Sequence, residues 1–85
     1  PEDAKTHIAK GYVLVTMNRS NEALTAFRKA VRLAPGEIMA WEGLSDLLSE
    51  QGKTEEAIRA YRQILALDPG HAEAKRKLEV LRLQP

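Results

Sequence analysis

A sixteen-residue segment occurs twice in this chain, 34 positions apart. NEALTAFRKAVRLAPG spans residues 21–36, and EEAIRAYRQILALDPG spans residues 55–70. Aligned without gaps, residues 4–37 and 38–71 agree mostly at positions that must pack or turn, as a repeated supersecondary unit should. The identical pairs are Leu14/Leu48, Glu22/Glu56, Ala23/Ala57, Ala26/Ala60, Arg28/Arg62, Leu33/Leu67, Pro35/Pro69 and Gly36/Gly70.

The second unit has the apolar spacing of two helices. Gly52 suits the left-handed conformation that ends the first helix, and Thr54 is predicted to be the N-cap of the second. Pro69 stops the second helix, and Gly70 permits the turn that follows. Because the connection between the helices is short, they are predicted to pair antiparallel as a hairpin. The inward positions are predicted to be Trp41, Leu44, Ser45 and Leu48 on one helix, and Ala57, Ala60, Tyr61, Ile64 and Leu65 on the other.

The first unit repeats this plan, with helices over about residues 3–17 and 20–34 and a turn at Asn18-Arg19. Residues 72–85 have helical spacing as well, with Ala74, Leu78 and Leu81 on one face. The sequence therefore predicts a single all-α domain over residues 1–85, built as an α-solenoid of antiparallel hairpins with five helices.

This pattern resembles the tetratricopeptide repeat, a 34-residue hairpin with the signature W-x2-L-G-x2-Y, then A-x3-F, then P. The first unit departs at His7 and Lys10, and both side chains are expected to be partly exposed. Glu79 and Arg82 stand where a third repeat needs a small and an aromatic residue. The resemblance thus implies repeats over residues 4–37 and 38–71, followed by a capping helix or partial third repeat over 72–85. The matching residues are Gly11, Leu14, Ala23, Phe27 and Pro35 in the first unit, and Trp41, Leu44, Ser45, Leu48, Ala57, Tyr61 and Pro69 in the second.

In that family the first helices of successive hairpins line a concave groove that binds peptide segments of other proteins. The resemblance therefore implies a protein-binding module or adaptor, and it assigns thirteen residues to the groove. These are Lys5, Ile8, Tyr12, Val15 and Thr16 in the first unit, Met39, Glu42, Asp46, Ser49 and Glu50 in the second, and Glu73, Arg76 and Lys77 in the last helix.

The chemistry of these positions suggests what the groove binds. Tyr12 and Met39 would take an apolar anchor, and Glu42 and Asp46 would take a Lys or Arg of the partner. The alternative hypothesis is that Tyr12 and Val15 pack on the neighbouring helix, while the acidic side chains of the second unit only face water. On the first hypothesis, Asp46→Lys weakens a basic ligand and leaves stability nearly unchanged.

A carboxylate clamp of the kind found in co-chaperone repeat domains is not expected. The clamp needs several converging Lys, Asn and Arg donors. Only Lys77 supplies one; the other matching positions hold Ile8, Tyr12, Gly43 and Glu73.

Other classes of function have little support in the sequence. Its two histidines, His7 and His71, lie in different units, and there is no cysteine, so neither catalysis nor a metal or cofactor site is expected. The net charge is +1 and residues 38–71 sum to −3, which argues against nucleic acid and membrane partners. No signal peptide or membrane-spanning run is present; the compartment is not decided, although the cytoplasm is favoured.

Self-association or a scaffolding role within a larger protein is the alternative function. Val80, Leu81 and Leu83 make the end of the last helix more apolar than a solvated cap requires. They would pack on the preceding hairpin, pair two copies as a homodimer, or dock on other parts of the parent protein. Because the chain begins at Pro1 rather than methionine, it is expected to be a piece of a longer protein.

Overall fold

Five α-helices joined by short turns make up the computed structural model, which describes residues 3–84. Equivalent helices begin 34 residues apart, and α1 packs on α2 and α3 on α4 as hairpins. The hairpins stack because α2 also packs on α3 and α4 on α5. The predicted all-α solenoid is confirmed. The helices are α1 (Ala4–Thr16), α2 (Ser20–Leu33), α3 (Ile38–Glu50), α4 (Thr54–Leu67) and α5 (Ala72–Arg82).

Local hydrogen bonds fix where the helices begin. The Asp3 carboxylate accepts the Thr6 amide hydrogen at 2.9 Å and caps α1. The prediction that Thr54 caps α4 is wrong, since Lys53 occupies the cap position and its side chain makes no capping bond. The Lys53 amide donates to the Leu48 carbonyl at 2.9 Å, so the tight turn after α3 brings the chain into helix one residue early.

The predicted turns after α3 and α4 are both present, but only the first of them uses the left-handed conformation. Gly52 has a φ of +74°, in the left-handed region as predicted, and Asn18 adopts a φ of 59° at the equivalent position. Gly70 lies in the turn after α4, as predicted, although it is not among the residues with positive φ. Its amide instead donates to Asp68 Oδ1 at 3.2 Å, and this bond holds the turn without glycine's extra conformational freedom.

The core runs through all the helices, and Phe27 lies at its centre. Its ring is fully buried between α1 and α3, at two glycines where the backbones come close. A Cβ added to Gly11 would lie 2.7 Å from the ring, and one added to Gly43 would lie 2.4 Å from it. The ring also meets Tyr12 edge-on, with centroids 5.0 Å apart. Phe27 thus joins both hairpins.

Most of the predicted inward positions are buried, including Ala57, Ala60 and Tyr61. Trp41 is half-buried, and its indole N–H donates to the Pro35 carbonyl at 2.7 Å. His7 is buried, contrary to expectation, whereas its equivalent in the second unit, Trp41, is only half-buried. Of the three apolar residues near the end of α5, only Leu81 is buried.

Candidate functional site

An apolar pocket of about 320 Å³ lies between α1 and the start of α3. Three of the residues predicted for the groove from α1, and one from α3, meet here. The apolar pocket is lined by Lys5, Ile8, Ala9, Tyr12, Glu37 and Met39. Most of these side chains present hydrocarbon to the pocket, and the charged ones among them are Lys5 and Glu37. Such a lining is typical of a site that holds an apolar side chain.

Tyr12 forms a rigid wall of this pocket. Its hydroxyl donates to the Met39 carbonyl at 3.3 Å, and its ring is braced by Phe27. Burial, together with the negative charges of Glu42 and Asp46, raises the pKa of Tyr12, so the hydroxyl stays protonated. A fixed aromatic ring loses little entropy when a ligand binds to it.

Two acidic residues of α3, Glu42 and Asp46, are held by side chains of α4, α5 and the turn between them rather than left facing water, whereas Glu50 is exposed. His71 Nε2 lies 2.8 Å from Glu42 Oε2. Because His71 Nδ1 accepts the Ala74 amide hydrogen, Nε2 carries the ring proton and donates to Glu42. His71 therefore caps α5 and ties its start to α3.

Asp46 joins three helices. Its Oδ1 accepts from the Tyr61 hydroxyl of α4 and from the Lys77 ammonium of α5, each at 2.8 Å. Lys77 also lies 3.4 Å from Glu73 Oε1. These contacts change the prediction for Asp46→Lys: we expect it to lower stability, because a lysine here would face Lys77 and leave Tyr61 without its acceptor.

A second, polar pocket of about 420 Å³ lies between α3 and α5. It contains two acids and two cations, and the Asp46–Lys77 pair forms one wall. Such a pocket offers both hydrogen-bond donors and acceptors, and its positive and negative charges balance. The polar pocket is lined by Asp46, Ser49, Glu50, Tyr61, Arg76, Lys77, Val80, Leu81 and Gln84.

Nine of the thirteen groove positions line one of these two pockets, whereas Val15, Thr16, Glu42 and Glu73 line neither. Val80 and Gln84 line the polar pocket but were not predicted for the groove, although they lie 34 positions after Asp46 and Glu50 and the repeat register could have identified them. His71 was not predicted either, because its role depends on a contact with Glu42, 29 residues away along the chain.

Alkaline pH is expected to destabilise the fold through the groups around Asp46. Burial, followed by the hydrogen bond to Asp46, raises the pKa of Tyr61, and the hydrogen bond to Asp46 raises the pKa of Lys77. In the unfolded chain these groups lose their protons near about pH 10. Above that pH the unfolded state binds fewer protons than the folded state, so the free energy of unfolding falls.

Urea unfolding at roughly pH 9 and pH 11 measures this fall. The variant Asp46→Asn should show a shallower pH dependence, because the neutral amide no longer favours charged Lys77. A free energy of unfolding that stays constant or rises over this range would contradict the assignment.

Within residues 3–84, no helix is long and apolar enough to cross a membrane. Among the same residues, no three His, Cys, Asp or Glu side chains are grouped so that they could hold a metal ion.

Comparison with known proteins supports one family. The profile described as Tetratricopeptide repeat matches residues 8–72. Among 45 matching chains of solved structures is the crystal structure of YrrB, described as a TPR protein with an unusual peptide-binding site. It is 27% identical with a TM-score of 0.88, and the match covers 95% of this chain and 42% of that chain. A search of curated protein sequences finds no match.

Domains of this kind generally mediate protein–protein interactions and are typically non-catalytic. The 34-residue recurrence of the helices, the profile match over most of the length and the similarity to a solved repeat protein agree with one another. The chain belongs to the tetratricopeptide repeat family.

Proposed function

We propose that this chain is a protein-interaction module that holds a peptide segment of another protein along α1, α3 and α5. The apolar pocket takes one apolar side chain of that segment. The observation that carries the proposal is the pocket itself, because Tyr12 is fixed in place while Met39, at 52% exposure, remains open to a ligand. YrrB, with a similar fold, is described as having a peptide-binding site.

A basic residue of the partner would meet the acidic side of α3. Glu50 is exposed and lies one turn beyond Asp46, on the rim of the polar pocket. Asp46 itself is shared with Lys77 and Tyr61, so a partner cation there competes with an internal one. Glu50 is therefore the more accessible anion, and the proposal moves the basic contact toward it.

Binding should depend on the apolar pocket. Peptides selected from a random display library against the 85-residue chain are expected to share an apolar residue. Met39→Glu places a charge in the pocket and should weaken these peptides by about tenfold or more. Leu67→Glu is the matched control, because Leu67 is also an exposed apolar residue but lines neither pocket. Titration calorimetry measures both variants.

Enrichment of peptides that bind Met39→Glu as tightly as the unaltered chain would overturn the proposal, as would failure to enrich any peptide. Pairing of two copies through α5 is the second candidate function. Its support is the exposure of Val80 and Leu83, although Leu81 is buried within the molecule. Sedimentation equilibrium over a concentration series distinguishes the two.

A further inference from the structure

The side chains that line the polar pocket differ in chemistry from their equivalents between α1 and α3. At that first junction the Tyr12 and Phe27 rings meet edge-on, and Phe27 fills the space at Gly43. The equivalents 34 positions later, which line the polar pocket, are Asp46, Tyr61 and Lys77. A carboxylate and an ammonium group thus stand where the first junction has an aromatic ring and a glycine. The polar pocket follows from these side chains and not from the stacking of hairpins, which both junctions share.

One pair of charges in this pocket is satisfied within the molecule. Asp46 Oδ1 accepts from the Lys77 ammonium and from the Tyr61 hydroxyl, each at 2.8 Å. Lys77 also lies 3.4 Å from Glu73 Oε1. A partner cation at Asp46 would displace Lys77, and a partner anion at Lys77 would displace Asp46. A ligand therefore gains little from this pair, because each new contact replaces an existing one.

The other two charges of the pocket, Glu50 on α3 and Arg76 on α5, are available to a ligand. Both side chains are exposed, and both line the pocket. Within residues 3–84, neither of them forms an ion pair or a side-chain hydrogen bond, and no ion pair joins them across the pocket. The polar pocket thus presents one unpaired negative charge from α3 and one unpaired positive charge from α5.

The charge of Glu50 is not explained by the stability of its own helix. Glu50 is the last residue of α3, and the last turn of this helix contains no basic residue. A carboxylate at this end meets the negative end of the helix dipole, which is unfavourable, whereas a cation would be favourable. Recognition of a positive charge on a ligand would give the carboxylate a role that α3 itself does not.

The order of the helices sets the order in which a bound segment meets these groups. Helix α1 packs on α3, and the Asp46–Lys77 bond joins α3 to α5, whereas α1 and α5 make no packing contact. A segment that begins in the apolar pocket, between α1 and α3, therefore reaches Glu50 before Arg76. Its complementary residues come in the order apolar, basic, acidic.

The dimensions of the groove suggest the spacing of these residues. Met39 and Glu50 are eleven residues apart on α3, which is about 16 Å along the helix axis. In an extended segment every second side chain faces the same way, and four residues span about 14 Å. The two charges line one pocket of about 420 Å³, so a separation of two residues, about 7 Å, suits them.

We propose, on the basis of the proposed function, that the polar pocket recognises a pair of opposite charges in the bound segment. A basic residue of the segment meets Glu50 about four residues from the apolar anchor, and an acidic residue meets Arg76 about two residues further on. The order of the charges in the ligand therefore matters more than its net charge.

The test uses acetylated and amidated peptides. The first, Gly-Leu-Ser-Ala-Ser-Lys-Ser-Glu-Gly, has the proposed order; the second has the same composition with Lys and Glu exchanged; the third has Gln at both positions. Each is titrated into the ¹⁵N-labelled 85-residue chain at low salt. The first should bind about fivefold more tightly than the second, with the neutral peptide between them. All three should shift the amide signals of Tyr12 and Met39.

Glu50→Arg combined with Arg76→Glu is the matched variant, because it exchanges the two charges and keeps the net charge. Both side chains are exposed and unpaired, so the fold should be retained, as circular dichroism should show. The preference should reverse in favour of the second peptide. Glu50→Gln alone should reduce the preference to about twofold or less. Its stability should stay the same or rise, because an unfavourable charge leaves the end of α3.

Two kinds of failure can be told apart. If the Tyr12 and Met39 signals shift but the two charged peptides bind equally, the inference is overturned and the proposed function stands. The same holds if the charge-exchanged chain keeps the original preference. If none of the three peptides shifts any signal at millimolar concentration, both the inference and the proposed function are overturned.

Discussion

Phe27→Ala is expected to lower the free energy of unfolding by about 3–5 kcal/mol, the range for removing a fully buried aromatic side chain. Phe27 is fully buried, its ring lies against Gly11 and Gly43, and its edge braces Tyr12. The cavity left behind cannot close easily, because the surrounding contacts come from two hairpins. Proteins of this size have a total stability of roughly 4–13 kcal/mol, so the substitution should remove a large fraction of it.

Urea unfolding followed by circular dichroism measures the effect. Leu83→Ala is the control, since Leu83 is 76% exposed and its loss should change stability by less than about 0.5 kcal/mol. A loss below about 1 kcal/mol for Phe27→Ala would mean that the two hairpins do not depend on this ring. The same variant should weaken groove binding, because Tyr12 loses its support.

Gly43→Ala is expected to destabilise the fold by about 2 kcal/mol. The added methyl carbon would lie 2.4 Å from two atoms of the Phe27 ring, which cannot retreat because Gly11 bounds its other side. Overpacking of this kind costs about 1–3 kcal/mol or more. The helix gains about 1 kcal/mol from replacing glycine with alanine, and this gain offsets only part of the clash.

Gly36→Ala provides the matched control for this variant. Nothing lies within 4 Å of a Cβ added at Gly36, and its φ is not in the left-handed region, so stability should stay the same or rise slightly. Combining Gly43→Ala with Phe27→Leu should cost less than the sum of the two single changes, because the smaller side chain relieves the clash. Equal stability of Gly43→Ala and Gly36→Ala would contradict the close approach.

The sequence was most informative where structure depends on neighbours along the chain. The boundaries of α1 and α2 were predicted to within one residue, since apolar spacing and the prolines act locally. The last helix was predicted to run through residue 85, which lies outside the described residues, but α5 ends at Arg82. Gly52 was placed correctly in the left-handed conformation. An error arose at Thr54, because the hydrogen bond from the Lys53 amide to the Leu48 carbonyl closes the turn and Lys53 takes the cap position. Local propensity alone does not indicate which of several competing bonds will form.

The candidate site was predicted less completely. The repeat register, carried over from the family resemblance, identified Tyr12, Met39 and Asp46 as groove positions. Asp46 was expected either to bind a basic ligand or to face water, yet it joins Tyr61 to Lys77. Lys77 lies 31 residues from Asp46 along the chain, so no spacing within one helix could reveal the pair.

The sequence by itself determined that this chain forms five helices, that they pair as hairpins at a 34-residue interval, and which faces are apolar. These properties follow from periodicity and turn residues, which act over one or two helical turns. Only the tertiary structure decided that Phe27 fills the space between two glycines and that Glu42 and Asp46 of α3 have partners in α4, in α5 and at His71 before α5. It also decided that the groove divides into an apolar and a polar pocket. Those features depend on side-chain contacts between residues 15 to 31 positions apart, and such contacts exist only once the hairpins have stacked.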